Sequence, residues 1–426
     1  MSHITRKKLS LRQEISSYFT TLFNRAAFAL IGYGKKLINW YEVRYQKQYW
    51  NTRIEQVVPT FPKGLQASAK ILLQNQASVF IQGTYHYHGT NGGNSPTSIT
   101  PMNDALFNIV VKVIRKLPVL QKIIAIQPMQ GPVGLIYQMR YKMQENSPDL
   151  VAPQITTDPS ARRISLNIIS QAVEAGTRKL QAGWSLEAMQ DTYASHEIDL
   201  EDELSTVMAD EIFHEIVMEV LADLGRIGFK RQANLQTEDG TYYNKDVAAS
   251  LYVQINQAMN EIGRRSRRGV GNYMIVSPTT LVFLQLNPSI TLKKTEGSHS
   301  NRSLALSHDY DIVYAESGRK IAVLTSMFLD TDNQSQERII VGYKGGNGEC
   351  DTGYFYSPYI PLMSSGVVIN PTTFQPVISL MTRYAKSWFG KDQEGFMGAG
   401  SEDYYCELTY SLDPNPAVNT SQEETA

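Results

Sequence analysis

Ile339-Ile-Val-Gly-Tyr-Lys-Gly345, Gly353-Tyr-Phe-Tyr-Ser-Pro-Tyr-Ile-Pro-Leu362, Phe374-Gln-Pro376 and Thr382-Arg-Tyr384 follow one another within residues 339–391. β-Branched and aromatic residues broken by Pro and Gly read as short strands, here 339–343, 366–369 and 376–384. Upstream, 273–277 and 321–325 have the same character. Before them, 247–262 reads as a helix that runs into the basic cluster Arg264, Arg265, Arg267, Arg268. Earlier still, Leu200, Leu204, Met208, Ile212, Ile216, Val220 and Leu224 recur every four residues. That spacing predicts a long helix over 199–224, with Asp199 and Asp202 as an N-capping pair and Gly225 as its stop. A strict four-residue stripe drifts around a straight helix, so this one should cross a sheet at an angle. Helices and strands mixed in this way give an α+β chain.

Residues 135–143 alternate, with Tyr137, Met139, Tyr141 and Met143 on one side and Gln138, Arg140 and Lys142 on the other. Ile164, Leu166 and Ile168 alternate too, and the residues between contain Pro148, Pro153 and Pro159. The pattern predicts a long two-stranded arm with an irregular tip and one wet face. An isolated hairpin is marginal in water and its edges are open, so something must cover it.

The ends differ in charge. Residues 1–53 hold Arg6, Lys7, Lys8, Arg12, Arg25, Lys35, Lys36, Arg44, Lys47 and Arg53 against only Glu14 and Glu42. Leu9, Ile15, Phe19, Leu22, Phe23 and Ala26 make residues 9–31 an amphipathic basic helix. After Lys391 there is no Lys or Arg, while Asp413, Glu423 and Glu424 are among the acids. Overall, 40 Lys+Arg nearly balance 41 Asp+Glu, so global charge makes no case for nucleic acid as the main ligand. Residues 85–101, rich in Gly and Asn, read as a loop between arm and body. Two cysteines, Cys350 and Cys406, do not make a disulfide scaffold and fit a reducing cytoplasm, though a single bridge between them stays open. The apolar run 26–31 is too short to span a membrane.

The chemistry-bearing patterns resolve mostly to bland readings. Glu211 and His214 have the spacing of carboxylate-bridged metal sites, but such sites need a second copy, so an ion pair is expected. His86 and His88 pair on what would be a strand, without a third ligand. Gly345 to Gly353 lacks the Lys-Ser/Thr ending of a phosphate loop and reads as a turn. Cys350 lies between Glu349 and Asp351, which disfavour a thiolate. No catalytic constellation, metal site or cofactor site is expected.

Three blocks together resemble the major capsid proteins of T-even-type tailed bacteriophages. They are the C-terminal block above, Gln127-Pro-Met-Gln-Gly-Pro-Val-Gly-Leu-Ile-Tyr-Gln-Met-Arg140, and the acidic run Glu187-Ala-Met-Gln-Asp191 through Asp199-Leu-Glu-Asp-Glu-Leu204 to Asp210-Glu-Ile-Phe-His-Glu-Ile-Val-Met-Glu219. The resemblance covers roughly 107–391. It implies the Hong Kong 97-type fold, divided as an N-terminal arm (1–106), the start of a peripheral domain (107–126), an E-loop region lying over a neighbouring subunit (127–183), and the peripheral domain with its spine helix (184–270). An axial domain (271–365), a return to the peripheral domain (366–391) and an acidic tail (392–426) complete it.

The implied function is self-assembly into hexamers and an icosahedral or prolate shell around double-stranded DNA, without catalysis. Vertex, scaffold, portal and decoration proteins are the implied partners, and the virion capsid, made in the bacterial cytoplasm, is the implied location. Candidate intersubunit or DNA contacts are Arg140, Lys142, Arg163, Arg264, Arg265, Arg267, Arg268, Arg12 and Arg25. An acidic spine-helix surface facing a neighbour's basic cluster would set register. Relatives lose an N-terminal segment by cleavage after glutamate in an apolar setting. Glu14 and Glu55 instead follow arginines, and Glu42 precedes Val43, so the arm is expected to be retained. The alternatives are the family's five-fold vertex protein and, from another class, a DNA-binding protein that uses the basic N-terminus.

Overall fold

The computed structural model describes residues 30–88, 104–142, 165–197, 200–233, 235, 245–288, 290–295, 306–313, 320–329, 336–345, 350–370, 373, 375–390 and 400–411. Three helices come first: α1 (Leu30–Val57), α2 (Gln66–His88) and α3 (Asp104–Gln121). Strands β1 (Ala125–Ile126), β2 (Val133–Lys142), β3 (Ser165–Glu174) and β4 (Gly176–Gly183) follow, then helices α4 (Leu186–His196) and α5 (Leu200–Ile227). Next come β5 (Phe229–Ala233), α6 (Lys245–Ser266), β6 (Tyr273–Val276), α7 (Pro278–Gln285), β7 (Thr291–Lys294), β8 (Ser307–Val313), β9 (Lys320–Thr325) and β10 (Gln336–Gly342). The last strands are β11 (Tyr354–Ile369), β12 (Pro376–Trp388) and β13 (Tyr405–Ser411).

These strands form three sheets, ordered β1-β11-β12-β4, β5-β13-β10-β6-β9-β8-β7 and β2-β3. The α+β class expected from the sequence is what the chain adopts. In the seven-stranded sheet both faces are covered. Tyr273 and Ile275 of β6 face the main core with α5, whereas Met274 and Val276 face a second core against α6. Alternate residues of one strand thus serve two cores, as a central strand requires.

Helix α5 buries Met208, Ile212, Ile216, Val220 and Leu224, with Leu200 and Leu204 partly covered, so the four-residue stripe faces inward along its length. It packs against β4 and β12 of one sheet, β13 of the other, and α3. Beside the stripe runs a row of carboxylates facing cations on β4 and β12. Arg178 bridges Glu215 (2.6 Å) and Glu219 (2.7 Å), and Lys386 bridges Glu219 and Asp223 (2.6 Å each). Tyr384 donates to Glu219, and the buried Tyr354 donates to Asp223 at 2.9 Å. Burial raises the Glu219 carboxyl, but hydrogen bonds from Lys386 and Tyr384 and the charges of Lys386 and Arg178 outweigh it. The group is held below the ordinary carboxylate range.

Several expectations change. Gly225 does not stop the helix, which continues to Ile227, and Gly228 N–H closes it onto Leu224 O at 3.0 Å. A Cβ at Gly225 would fall 2.7 Å from Arg338 Nη2 and 3.4 Å from Glu407 Oε1, so glycine there makes room for an ion pair crossing the helix. Asp199 lies outside the described residues. Residues 85–88 are the last turn of α2 rather than loop, so His86 and His88 sit on a helix and not on a strand.

The segment expected as an N-terminal arm enters the main core through Trp50, Ile54, Leu65 and Leu72. Gln76 of α2 is buried too, its amide bonded to the backbone of Leu362. The segment expected as an acidic tail contains β13, an interior strand between β5 and β10, in which Cys406 and Leu408 are fully buried. Residues 354–365 form the first part of β11 in the four-stranded sheet. Cys350 and Cys406 are both free, and burial pushes the Cys406 thiol up to about 12.

Two measurements check the carboxylate row. Lys386→Met removes the nearer of the two cations at Asp223, whose side chain is only 9% exposed and keeps Arg226 at 3.3 Å and the Tyr354 hydroxyl. It should cost about 2 kcal/mol, after discounting for the partial exposure of Lys386 itself, read as a lower urea midpoint with an unchanged slope. The depressed Glu219 value means its contribution is complete above the unfolded value near 4.5 and is lost as pH falls through the folded value. Acid titration of the wild-type urea midpoint should therefore show a fall below about pH 4.5 that Glu219→Gln flattens.

Candidate functional site

The two-stranded arm is antiparallel over its whole described length, with Val133 opposite Glu174, Tyr137 opposite Ser170 and Lys142 opposite Ser165. Its base is tied to the body by polar side chains acting as backbone substitutes. Gln127 accepts from Tyr137 N–H at 3.1 Å and donates to Tyr137 O at 3.0 Å, which continues the ladder with an amide. Gln138 is buried and donates to Thr352 O at 3.0 Å, and Ser387 Oγ donates to Gln171 Oε1 at 3.0 Å. Ile136 and Val173 pack on Phe355, Ala385 and Phe389.

This geometry reverses which side of β2 is wet. The side carrying Ile136 and Gln138 meets the body, so the apolar alternate side turns to solvent: Val133 is 63% exposed, Leu135 55% and Tyr137 44%. Ile168 on β3 is 59% exposed on the same face, since it stands opposite Met139. Amphipathic strands bury their apolar side when they can, and a row of this kind left open marks a surface built to be covered. The sequence held the signal, because Val133 and Leu135 continue the parity of Tyr137, but not which side the body would take.

Arg140 stands opposite Asn167 and Lys142 opposite Ser165 in the arm ladder. Arg163, Arg12 and Arg25 lie outside the described residues. The other four candidates sit together at the C-terminal end of α6, yet they divide. Arg265 binds Glu261 through Nε and Nη2 (2.9 and 2.7 Å) and lies over the Phe229 ring at 4.1 Å. Arg268 is turned inward, 4.0 Å from Asp351. Arg264 and Arg267 project outward, Arg267 from a left-handed backbone (φ 56°). Hydrogen bonding from Arg265, against a smaller effect of burial, and the charges of Arg265, Arg264 and Arg231 hold the Glu261 carboxyl below its usual range.

His214 Nδ1 and Glu211 Oε2 lie 3.6 Å apart on α5, and among the described residues no group of His, Cys, Asp and Glu is arranged to hold a metal. Ser277 Oγ contacts Glu337 at 2.6 Å, but it also caps α7 through Thr280 N–H, a structural use of the hydroxyl. No helix among the described residues is long and apolar enough to cross a membrane.

The family described as Major capsid protein Gp23 matches residues 149–405. The major capsid protein of Vibrio phage KVP40 is 30% identical over 236 residues, covering 52% of this chain and 44% of that protein. That of Enterobacteria phage T4 is 30% identical over 250 residues, covering 54% and 45%. The chain spans about half the length of these relatives. Among solved structures, the capsid of Myoviridae phage XM1 aligns at 10% identity and TM-score 0.38, covering 69% of this chain and 92% of that one. A structure from Microbacterium phage Oxtober96 aligns at 10% identity and TM-score 0.41, covering 77% and 98%. The assignment rests on the sequence match, which takes in the arm strand β3, helices α5 and α6 and most of the four- and seven-stranded sheets: this chain belongs to the Gp23 major capsid protein family.

Proposed function

We propose that the chain is the repeating subunit of a tailed-phage head, assembling with copies of itself into hexamers and then into an icosahedral or prolate shell around double-stranded DNA. The observation that carries this is the outward row Val133, Leu135, Tyr137 and Ile168 on an arm rooted firmly in the body. Burying an apolar side chain of this size is worth about 1.5–3 kcal/mol, so one arm laid over a neighbour supplies several kcal/mol before the cost of ordering. Around a closed ring the same contact repeats, and a modest interface becomes a stable lattice.

In this reading the arm is the E-loop, α5 the spine helix, and most of the seven-stranded sheet the axial domain. Vertex, portal, scaffold and decoration proteins are met by the finished lattice. Packaged DNA lies on the inner face, where the basic N-terminal residues Arg12 and Arg25 are its candidate contacts. The location is the virion capsid, with synthesis in the host cytoplasm.

The double variant Leu135→Glu/Tyr137→Glu tests the arm. Its unfolding free energy should stay within about 0.5 kcal/mol of wild type, because both side chains already face water. Negative-stain microscopy should show shells, tubes or hexameric rings for the wild type and none for the variant. A variant that assembles like the wild type would remove the arm from the interface.

A further inference from the structure

Between Lys179 and Arg226 the sequence has no Lys or Arg. The body uses only part of the acid in this run: Asp210 pairs with Lys116 at 2.6 Å, and Glu215, Glu219 and Asp223 are held by Arg178 and Lys386. Glu187 and Asp191 on α4, Glu197 at its end and Glu203 at the start of α5 are exposed, and none of them meets a described cation of its own chain. Glu197 and Glu203 flank the N-terminal end of α5, and α4, which carries Glu187 and Asp191, leads directly into it.

The opposite end has the opposite sign. Just past Ile227, β5 brings Arg231 beside the end of α6. There Glu261 is shared by Arg231 (3.7 Å), Arg264 (3.5 Å) and Arg265 (2.7 Å). One carboxylate among three guanidiniums leaves an excess of positive charge. The side chain of Arg264 is 78% exposed, and Arg267, three residues on, is exposed as well. With 28 residues, α5 holds the two poles about 40 Å apart. That is several screening lengths at ordinary salt, so one copy cannot neutralise itself.

We propose that the basic pole formed by Arg231, Arg264 and Arg267 docks on the acidic pole formed by Glu187, Asp191, Glu197 and Glu203 of a second copy, head to tail. This rests on the self-assembly reading above and names the contact that sets its register. It also replaces the partner expected from the sequence, because the carboxylates of the middle and end of the spine helix are already engaged within the chain. A head-to-tail contact uses two different patches on each copy, the kind that closes into a ring when its rotation allows. Charge pairs at the rim of such a contact select geometry more than they add strength.

The test compares wild type with Arg264→Glu/Arg267→Glu, with Glu187→Lys/Asp191→Lys, and with all four changes in one chain. Light scattering gives the threshold concentration for assembly at several salt concentrations, and thermal melts confirm folding, which these exposed positions should not disturb. Reversing either pole should raise the low-salt threshold about tenfold, and the fourfold variant, with both signs exchanged, should recover much of the loss. Single-pole variants that assemble at the wild-type threshold, or a fourfold variant no better than either, would overturn the pairing while leaving wild-type assembly intact. If Arg264→Glu/Arg267→Glu lost binding to duplex DNA with its threshold unchanged, the pole would be a nucleic-acid surface and the pairing would fail. A wild type that never assembles would remove the self-assembly reading and this contact together.

Discussion

The contact of α5 with β4, β12 and β13 joins two sheets that share no strand. Its apolar stripe supplies the attraction, but a stripe alone lets a helix slide and roll, since burial of apolar area has no preferred direction. The row Glu215, Glu219, Asp223 removes that freedom. Each carboxylate meets cations fixed on β4 or β12, and Tyr354 and Tyr384 reach it from β11 and β12. Half-buried ion pairs of this kind return little net energy once desolvation is counted. Their effect lies in position: a helix rolled about its axis would turn the carboxylate row away from Arg178 and Lys386. Burial and the adjoining carboxylates raise the Tyr354 and Tyr384 hydroxyls well above their ordinary range, so both stay donors.

What the sequence disclosed follows from which forces are local. The stripe from Leu200 to Leu224 and the alternation in β2 are periodic in the chain, and both gave the correct element. The side of β2 that meets the body was not local. It depends on Phe355, Ala385 and Phe389, more than two hundred residues downstream of it in the chain. β11 was hidden for a different reason. Pro358 and Pro361 lack the N–H of a ladder and read as interruptions, yet the strand carries them through register shifts between Pro358 and Ile360 and between Ile360 and Met363.

β13 was masked by summation. Glu407 counted toward an acidic tail, whereas in the sheet it is nearly buried against Arg338 at 2.6 Å and Lys230 at 3.8 Å. The early helices were masked by polarity, because Ser68 and Gln76 are buried and hydrogen bonding satisfies what composition cannot show. The basic helix end shows the same limit, since four arginines that look alike in sequence separate once Phe229, Glu261 and Asp351 surround them: Arg268 turns inward, Arg265 lies along Phe229 at the surface, and Arg264 and Arg267 project outward.

An assembling subunit has to be rigid where its neighbours read it and adhesive where they touch it, and this chain assigns the two tasks to different chemistry. Inside, opposite charges meet at short range and fix the beam to the sheets. Outside, the arm offers apolar area, which attracts without specifying register, and in the proposed contact charges of opposite sign would specify register with little attraction. Neither surface would do both. A strongly charged arm would lose its adhesion to salt, and apolar poles would let subunits meet at any angle. In the proposed assembly both contacts are individually modest, so a misplaced subunit would leave before its neighbours lock it in, and closure of a ring would turn the same contacts into a lattice that does not come apart one subunit at a time.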